Sequence, residues 1–272
     1  MTMRRVGLVA WHVFKESVRD RVLYGIGAFA GLLVAGSVLI GEITAGQDLK
    51  IIKDLGLATI EIAAALMTVF IGTGLVSREI DRRSIFALLA KPLPRWEFIV
   101  GKYLGLVLTI TVNVCGMAAV LYVVLAWQWW ISPENIRMSW SAPAVDPRLL
   151  LVVVMIAAEM ALLTAVALFF SCFSSSALLS VVFTAGIYVA GLASTDLRGF
   201  GDIVDAHPAV VWVVTVVGWA LPAFSAFDIK SQVVHGLPVA LGLVGATVLY
   251  AAVYGAAILA ASVVVFTRRE FK

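Results

Sequence analysis

Two carboxylates stand where a chain rarely places them. Glu159 lies near the middle of the apolar run 149–171, in the stretch AAEMALL, and Glu61 lies about two turns into the run 55–76. A charge at membrane depth costs about 2.5–3.5 kcal/mol on insertion scales, so such a residue faces protein or water. Glu159 fits two roles. It is either a protonated side chain hydrogen-bonded to a neighbouring helix, or part of a translocation route that meets a cationic or hydroxylated substrate group or carries a proton. Glu61, nearer the outer boundary, fits a solvated or structural role, or a second place on the same route.

Other chemistries lack their residues. His12, His207 and His235 are scattered, and Met67, Met117, Met155 and Met160 are explained by packing. A copper site needs clustered thiolate, thioether or imidazole ligands. Cys115 and Cys172 stand alone in or beside apolar runs, with no CxxC spacing, and read as packed core thiols. There is no G-x-S-x-G elbow and no H-E-x-x-H pair. A phosphate-cradling loop needs G-x-x-x-x-G-K-[ST]. Gly101-Lys102 is followed by Tyr103 and preceded by Trp96 at the first glycine position, so that route to ATP is closed. The sequence predicts no catalytic residue, cofactor or metal in this chain.

The densest charge lies in the stretch 77–102, SREIDRRSIFALLAKPLPRWEFIVGK. Arg78, Arg82, Arg83, Lys91, Arg95 and Lys102 are basic there, and Glu79, Asp81 and Glu97 are acidic. Glu79 precedes Arg82 and Arg83 by three and four residues, the spacing at which opposite charges meet on a helix. Ile85, Phe86, Leu88 and Leu89 add an apolar side. Pro92 and Pro94 then end the helix, since neither donates an amide hydrogen and each disfavours helix in the preceding residue. The pattern predicts a short amphipathic helix at a membrane surface, stopped by a KPLP turn.

The elements that position these groups follow from composition and periodicity. The chain is 62% hydrophobic and 14% charged, against about 45–50% and about 25% for soluble domains. It reads as an all-α integral membrane protein with a single membrane domain over 1–272. Six spans are expected, at 22–41, 55–76, 103–127, 149–171, 177–193 and 237–266, each near the length that crosses about 30 Å of hydrocarbon. Residues 3–21 are expected to form an interfacial amphipathic helix. Trp11, Phe14 and Val18 share one side of it, and Arg5, His12, Glu16 and Arg19 another. No small-residue cleavage site follows it, so the first span reads as an uncleaved anchor. Fourteen Lys and Arg fall on one side of this arrangement and six on the other, which puts both termini in the cytoplasm. The run 209–224 would break that rule if it crossed, so it is expected to be a re-entrant or interfacial element on the outer side. The net charge of +3 comes from membrane-proximal residues and gives no case for nucleic acid.

The pattern Ser-Arg-Glu, paired-charge turn, Leu-Leu-Ala-Lys-Pro, Arg-Trp-Glu-Phe, Gly-Lys over 77–102 resembles the loop between the second and third spans of type-2 ATP-binding-cassette (ABC) transporter permeases. The layout around it is similar too, with an interfacial helix, six spans, an outer hairpin before the sixth and a basic tail. The resemblance implies a permease subunit in the cytoplasmic (inner) membrane, akin to the compact antibiotic-resistance and nitrous oxide reductase maturation permeases. It implies export, a second permease subunit, and two copies of an ABC ATPase subunit that carry the ATP and Mg. It also implies that Arg78, Glu79, Asp81, Arg82 and Arg83 dock that ATPase as a coupling helix, while Lys91, Pro92, Arg95 and Glu97 set the angle of the 77–97 loop. Two other readings stay open: a membrane scaffold without transport, and a proton-coupled transporter using Glu159.

Overall fold

The computed structural model describes residues 2–18, 48–81, 94–138, 140, 142–174, 176–204 and 207–268, with scattered positions between 24 and 39. All the regular structure among them is helical; the longer helices are α1 (Thr2–Val18), α2 (Asp48–Asp81), α3 (Arg95–Ile131), α4 (Leu149–Phe173), α5 (Ala177–Leu192), α6 (Pro208–Ala220) and α7 (Leu241–Arg268). Among the described residues, α2, α3, α4 and α7 are each long and apolar enough to cross a bilayer. The chain is a multi-pass membrane protein. Helix α6 and the segment Phe224–Val234 pass the same test together but meet at a bend of 51°, and α5 is a shorter apolar helix.

Helix α4 is the axis of the bundle, packed against α2, α3, α5 and α7. Its apolar residues run all the way round, as expected of a helix with neighbours on most sides. Hydroxyls inside the bundle donate to the carbonyl four residues back, as Thr68, Thr109, Thr164 and Thr184 do. This satisfies a polar group where no water is at hand. Ser171 of α4 instead donates to the Thr73 carbonyl of α2 at 3.2 Å, tying the two helices together.

Helices α2 and α3 have 34 and 37 residues, about 50–55 Å each, and so overrun a hydrocarbon core of about 30 Å. This shifts several expected boundaries. Arg78, Glu79 and Asp81 are the last turn of α2, and Arg95 and Glu97 the first turn of α3, so the ends of the expected 77–97 loop are helical. Pro94 stands just before α3 with φ −62° and ψ 136°, the extended backbone its ring favours. Arg82, Arg83, Lys91 and Pro92 lie outside the described residues. At its other end α2 begins at Asp48, so Lys50 and Lys53 are helical rather than part of an outer loop. Lys53 is 1% exposed and donates to the Pro143 carbonyl at 2.6 Å.

Helix α1 lies along the start of α3. The side it turns to the bundle is not the Trp11 side. Val13 and Ser17 are buried, Val9 packs on the core, and Trp11 is 61% exposed. Gly101 and Gly105 explain the choice. A Cβ on Gly105 would fall 2.6 Å from the Ala10 carbonyl oxygen, and one on Gly101 would fall 2.7 Å from Val9 Cβ. The two glycines form the seat that receives α1. Near the same end, Phe98 of α3 stacks on Phe266 of α7 at 6.1 Å, beside buried Ile99 and Cys172. We call this the α1 end. Cys115, expected to be buried like Cys172, is exposed on α3.

Candidate functional site

The chemistry expected of Glu61 and Glu159 centres on a segment the sequence did not single out. Between α6 and α7 the chain makes a 3-10 turn, Phe224–Phe227, and a short helix, Lys230–Val234. Phe224, Phe227, Ile229, Val233 and Val234 are buried, so the segment is inserted into the bundle opposite the α1 end. It packs against α2, α4 and α5. Gly191 of α5 makes the seat close, because a Cβ there would lie 2.5 Å from the Phe224 ring and 2.6 Å from the Pro222 carbonyl oxygen. The segment leaves through Gly236, at φ 71°, a left-handed conformation that glycine adopts without steric cost. Arg148 holds that exit by donating to the Gly236 carbonyl at 3.2 Å.

This insertion brings charges to one end of the bundle. Lys230 forms an ion pair with Glu61 of α2 and stands 3.7 Å from Asp228. Asp54, two helical turns before Glu61 and thus on the same side of α2, lies within electrostatic reach of Lys230, Asp228 and His235. Glu61 is therefore a paired residue. Its partner comes from 169 residues further along the chain.

Glu159 sits deeper, on α4, and is 2% exposed. The Tyr188 side chain of α5 lies beside its carboxyl, and Asp228 is within electrostatic reach of both. One carboxyl oxygen, Oε1, has no hydrogen-bond partner among the described residues. Tyr188 also packs edge-on against Phe224 at 5.2 Å. The inserted segment thus touches each candidate carboxylate through a different residue: Glu61 directly through Lys230, and Glu159 through Tyr188 and Phe224.

At the α1 end, Glu97 is 3% exposed, with Oε2 lacking a hydrogen-bond partner among the described residues. Its neighbour Lys102 is 1% exposed and lies over the Phe98 ring at 4.7 Å. Burying a cation's stem along an aromatic face offsets part of its desolvation. The backbone at Arg78, Glu79 and Asp81 finishes α2, and that at Arg95 begins α3.

Sequence reasoning missed Lys230, Asp228 and Tyr188 as members of the site. A usable signal existed for two of them, since Phe227-Asp228-Ile229-Lys230 alternates apolar and charged residues within a largely apolar stretch. No protein-family model matches this sequence, and no curated protein matches it.

Proposed function

We propose that this chain is the membrane-spanning permease subunit of an ATP-driven transporter of the type-2 ABC kind, with six spans and both termini cytoplasmic. It moves a substrate, in the export direction, while a separate nucleotide-binding subunit hydrolyses ATP. The observation that carries this reading is the length of α2 and α3. Both overrun the bilayer, and they end in the charged turns Arg78–Asp81 and Arg95–Glu97 that flank the paired-charge sequence. Long helices joined by a short charged connection transmit a push at their ends as a rigid-body movement. The sequence holds no Walker A loop, so the energy in this reading comes from a partner.

In the same reading, the bent pair formed by α6 and Phe224–Val234 is the outer re-entrant hairpin, and α5 is a short fifth span. The ion pair between Lys230 and Glu61 holds the hairpin in place, with Glu159 and Tyr188 beneath it on the substrate path. The test is affinity purification of the tagged chain in mild detergent, with partners identified by mass spectrometry. A stoichiometric nucleotide-binding subunit is the expected result. A preparation free of such a partner, repeated under crosslinking, contradicts the reading.

A second reading rests on Glu159 itself. A buried carboxyl with one unpartnered oxygen and no paired cation among the described residues is a place to hold a proton. A transporter using it would stop when the proton gradient is collapsed and would ignore ATP. No internal inverted repeat accompanies it in the sequence, which favours the first reading.

A further inference from the structure

At the end of the bundle opposite α1, an open cavity of about 590 Å³ lies between the last turn of α3 and the strap 142–145. Its size is in the range of about 300–1,000 Å³ usual for small-ligand sites. Trp129, Arg137, Trp140, Pro143 and Val145 are among its lining residues. We propose that this cavity binds a phosphate-bearing anion through Arg137, at the depth of the lipid headgroups.

Arg137 is held from three sides. Its Nε donates to the Ser132 carbonyl at 2.7 Å, its Nη2 donates to the Trp130 carbonyl at 3.1 Å, and its guanidinium carbon stands 4.6 Å over the Trp129 ring. None of these contacts neutralises the charge. No carboxylate stands within ion-pair distance of Arg137 among the described residues. Glu134, one turn earlier, is exposed and does not line the cavity. The other nearby cation, Lys53, reaches the Pro143 carbonyl and has Asp146 within electrostatic reach, so it is already answered by an acid. Arg137 is a fixed, unanswered cation with Nη1 left to donate.

Trp140 also lines the cavity, and among the described lining residues none is acidic or carries a hydroxyl. The Trp140 indole Nε1–H is buried behind the lining and has no hydrogen-bond partner among the described residues. An indole nitrogen donates only, so what completes it is an acceptor. A guanidinium is suited to the oxygens of a phosphate, and a stacked, pre-oriented one loses little freedom on binding. Position supplies the last constraint. Trp127, Trp129, Trp130 and Ile131 are exposed at the end of the apolar helix α3, the pattern that marks a water–lipid boundary. The anion abundant at that boundary is a phosphate ester, either in a lipid headgroup or free in the adjoining water.

The test uses the full-length protein purified in detergent, titrated with dihexanoyl phosphatidylglycerol and, separately, with glycerol phosphate, while following thermal unfolding. The expected result is saturable stabilisation that is about tenfold or more weaker in affinity for Arg137→Gln, the scale of losing a charge-assisted hydrogen bond. Arg137→Lys, which keeps the charge without the fork, should fall between, and Trp140→Phe should weaken binding while leaving the unliganded unfolding temperature close to wild type. Stabilisation by the lipid alone assigns the site to a headgroup, and equal stabilisation by glycerol phosphate assigns it to a free phosphate ester. Binding of the same strength in wild type and Arg137→Gln overturns the proposal. So does the absence of saturable stabilisation by either compound in the wild type.

Discussion

Lys230 bonds to Glu61 across 169 residues of sequence, pinning the inserted segment to α2 at the end of the bundle away from α1. Both side chains are largely shielded, at 18% and 14% exposure. Removing one partner leaves the other charge in a poorly hydrated place. Breaking a fully buried pair costs about 3–5 kcal/mol, and the residual exposure here lowers the expected loss to about 1–3 kcal/mol for Lys230→Met or Glu61→Leu. The double variant should recover most of that loss, because neither charge is then left alone. Denaturation in detergent measures the cycle. Additive losses would mean that the pair carries no coupling.

Tyr188 and Glu159 form the second coupled pair. Tyr188→Phe removes a hydroxyl that lies beside the buried carboxyl, and is expected to destabilise by about 0.5–1.5 kcal/mol, the net scale of one polar contact. In a Glu159→Leu background the same change should cost much less. Glu159→Gln separates structure from transport. It keeps the shape and a hydrogen-bonding group, so assembly and stability should stay close to wild type. Activity that falls with Glu159→Gln while stability holds would put Glu159 on the substrate or proton route. Activity that holds would leave it a packing residue.

Gly105 is where α1 is tested. Gly105→Val would place side-chain atoms where the Ala10 carbonyl oxygen and Val13 already stand. Overpacking of this kind costs about 1–3 kcal/mol and is relieved by lifting α1 off α3. The expected outcome is faster proteolysis within residues 2–18 with little change in the unfolding of α2 to α4. Unchanged protection of α1 would show that the helix is held elsewhere.

How far the sequence could be read follows from the same residues. Hydropathy located α4 almost to the residue, since 149–171 was expected and Leu149–Phe173 is found. It did so because nothing charged other than Glu159 interrupts that run. It set the ends of α2 and α3 too far inward because a hydropathy window stops at the first charges, whereas a helix continues through Lys53 or Arg78 once its backbone bonds are formed. Grouping Trp11, Phe14 and Val18 on one side of α1 did not say which side meets the bundle. The glycine seat at 101 and 105 selects the side with Val9 and Val13, and that seat lies on another helix. Glu61 and Glu159 were recognisable from their surroundings alone. Their partners Lys230 and Tyr188 were not, since long-range pairing leaves no trace in local spacing.

The central claim is that a separate nucleotide-binding chain drives this one through the charged stretch between α2 and α3. Vanadate-sensitive ATP hydrolysis by the complex purified on the tagged chain tests it most directly, compared between wild type and the charge reversal Arg82→Glu with Arg83→Glu. The account expects hydrolysis in the wild-type complex. In the variant it expects loss of both the partner and the activity, with membrane insertion and the unfolding temperature of the isolated chain unchanged. An ATPase that stays bound and equally active after the reversal would contradict the assigned coupling role, and a wild-type preparation with no ATP hydrolysis would contradict the claim itself.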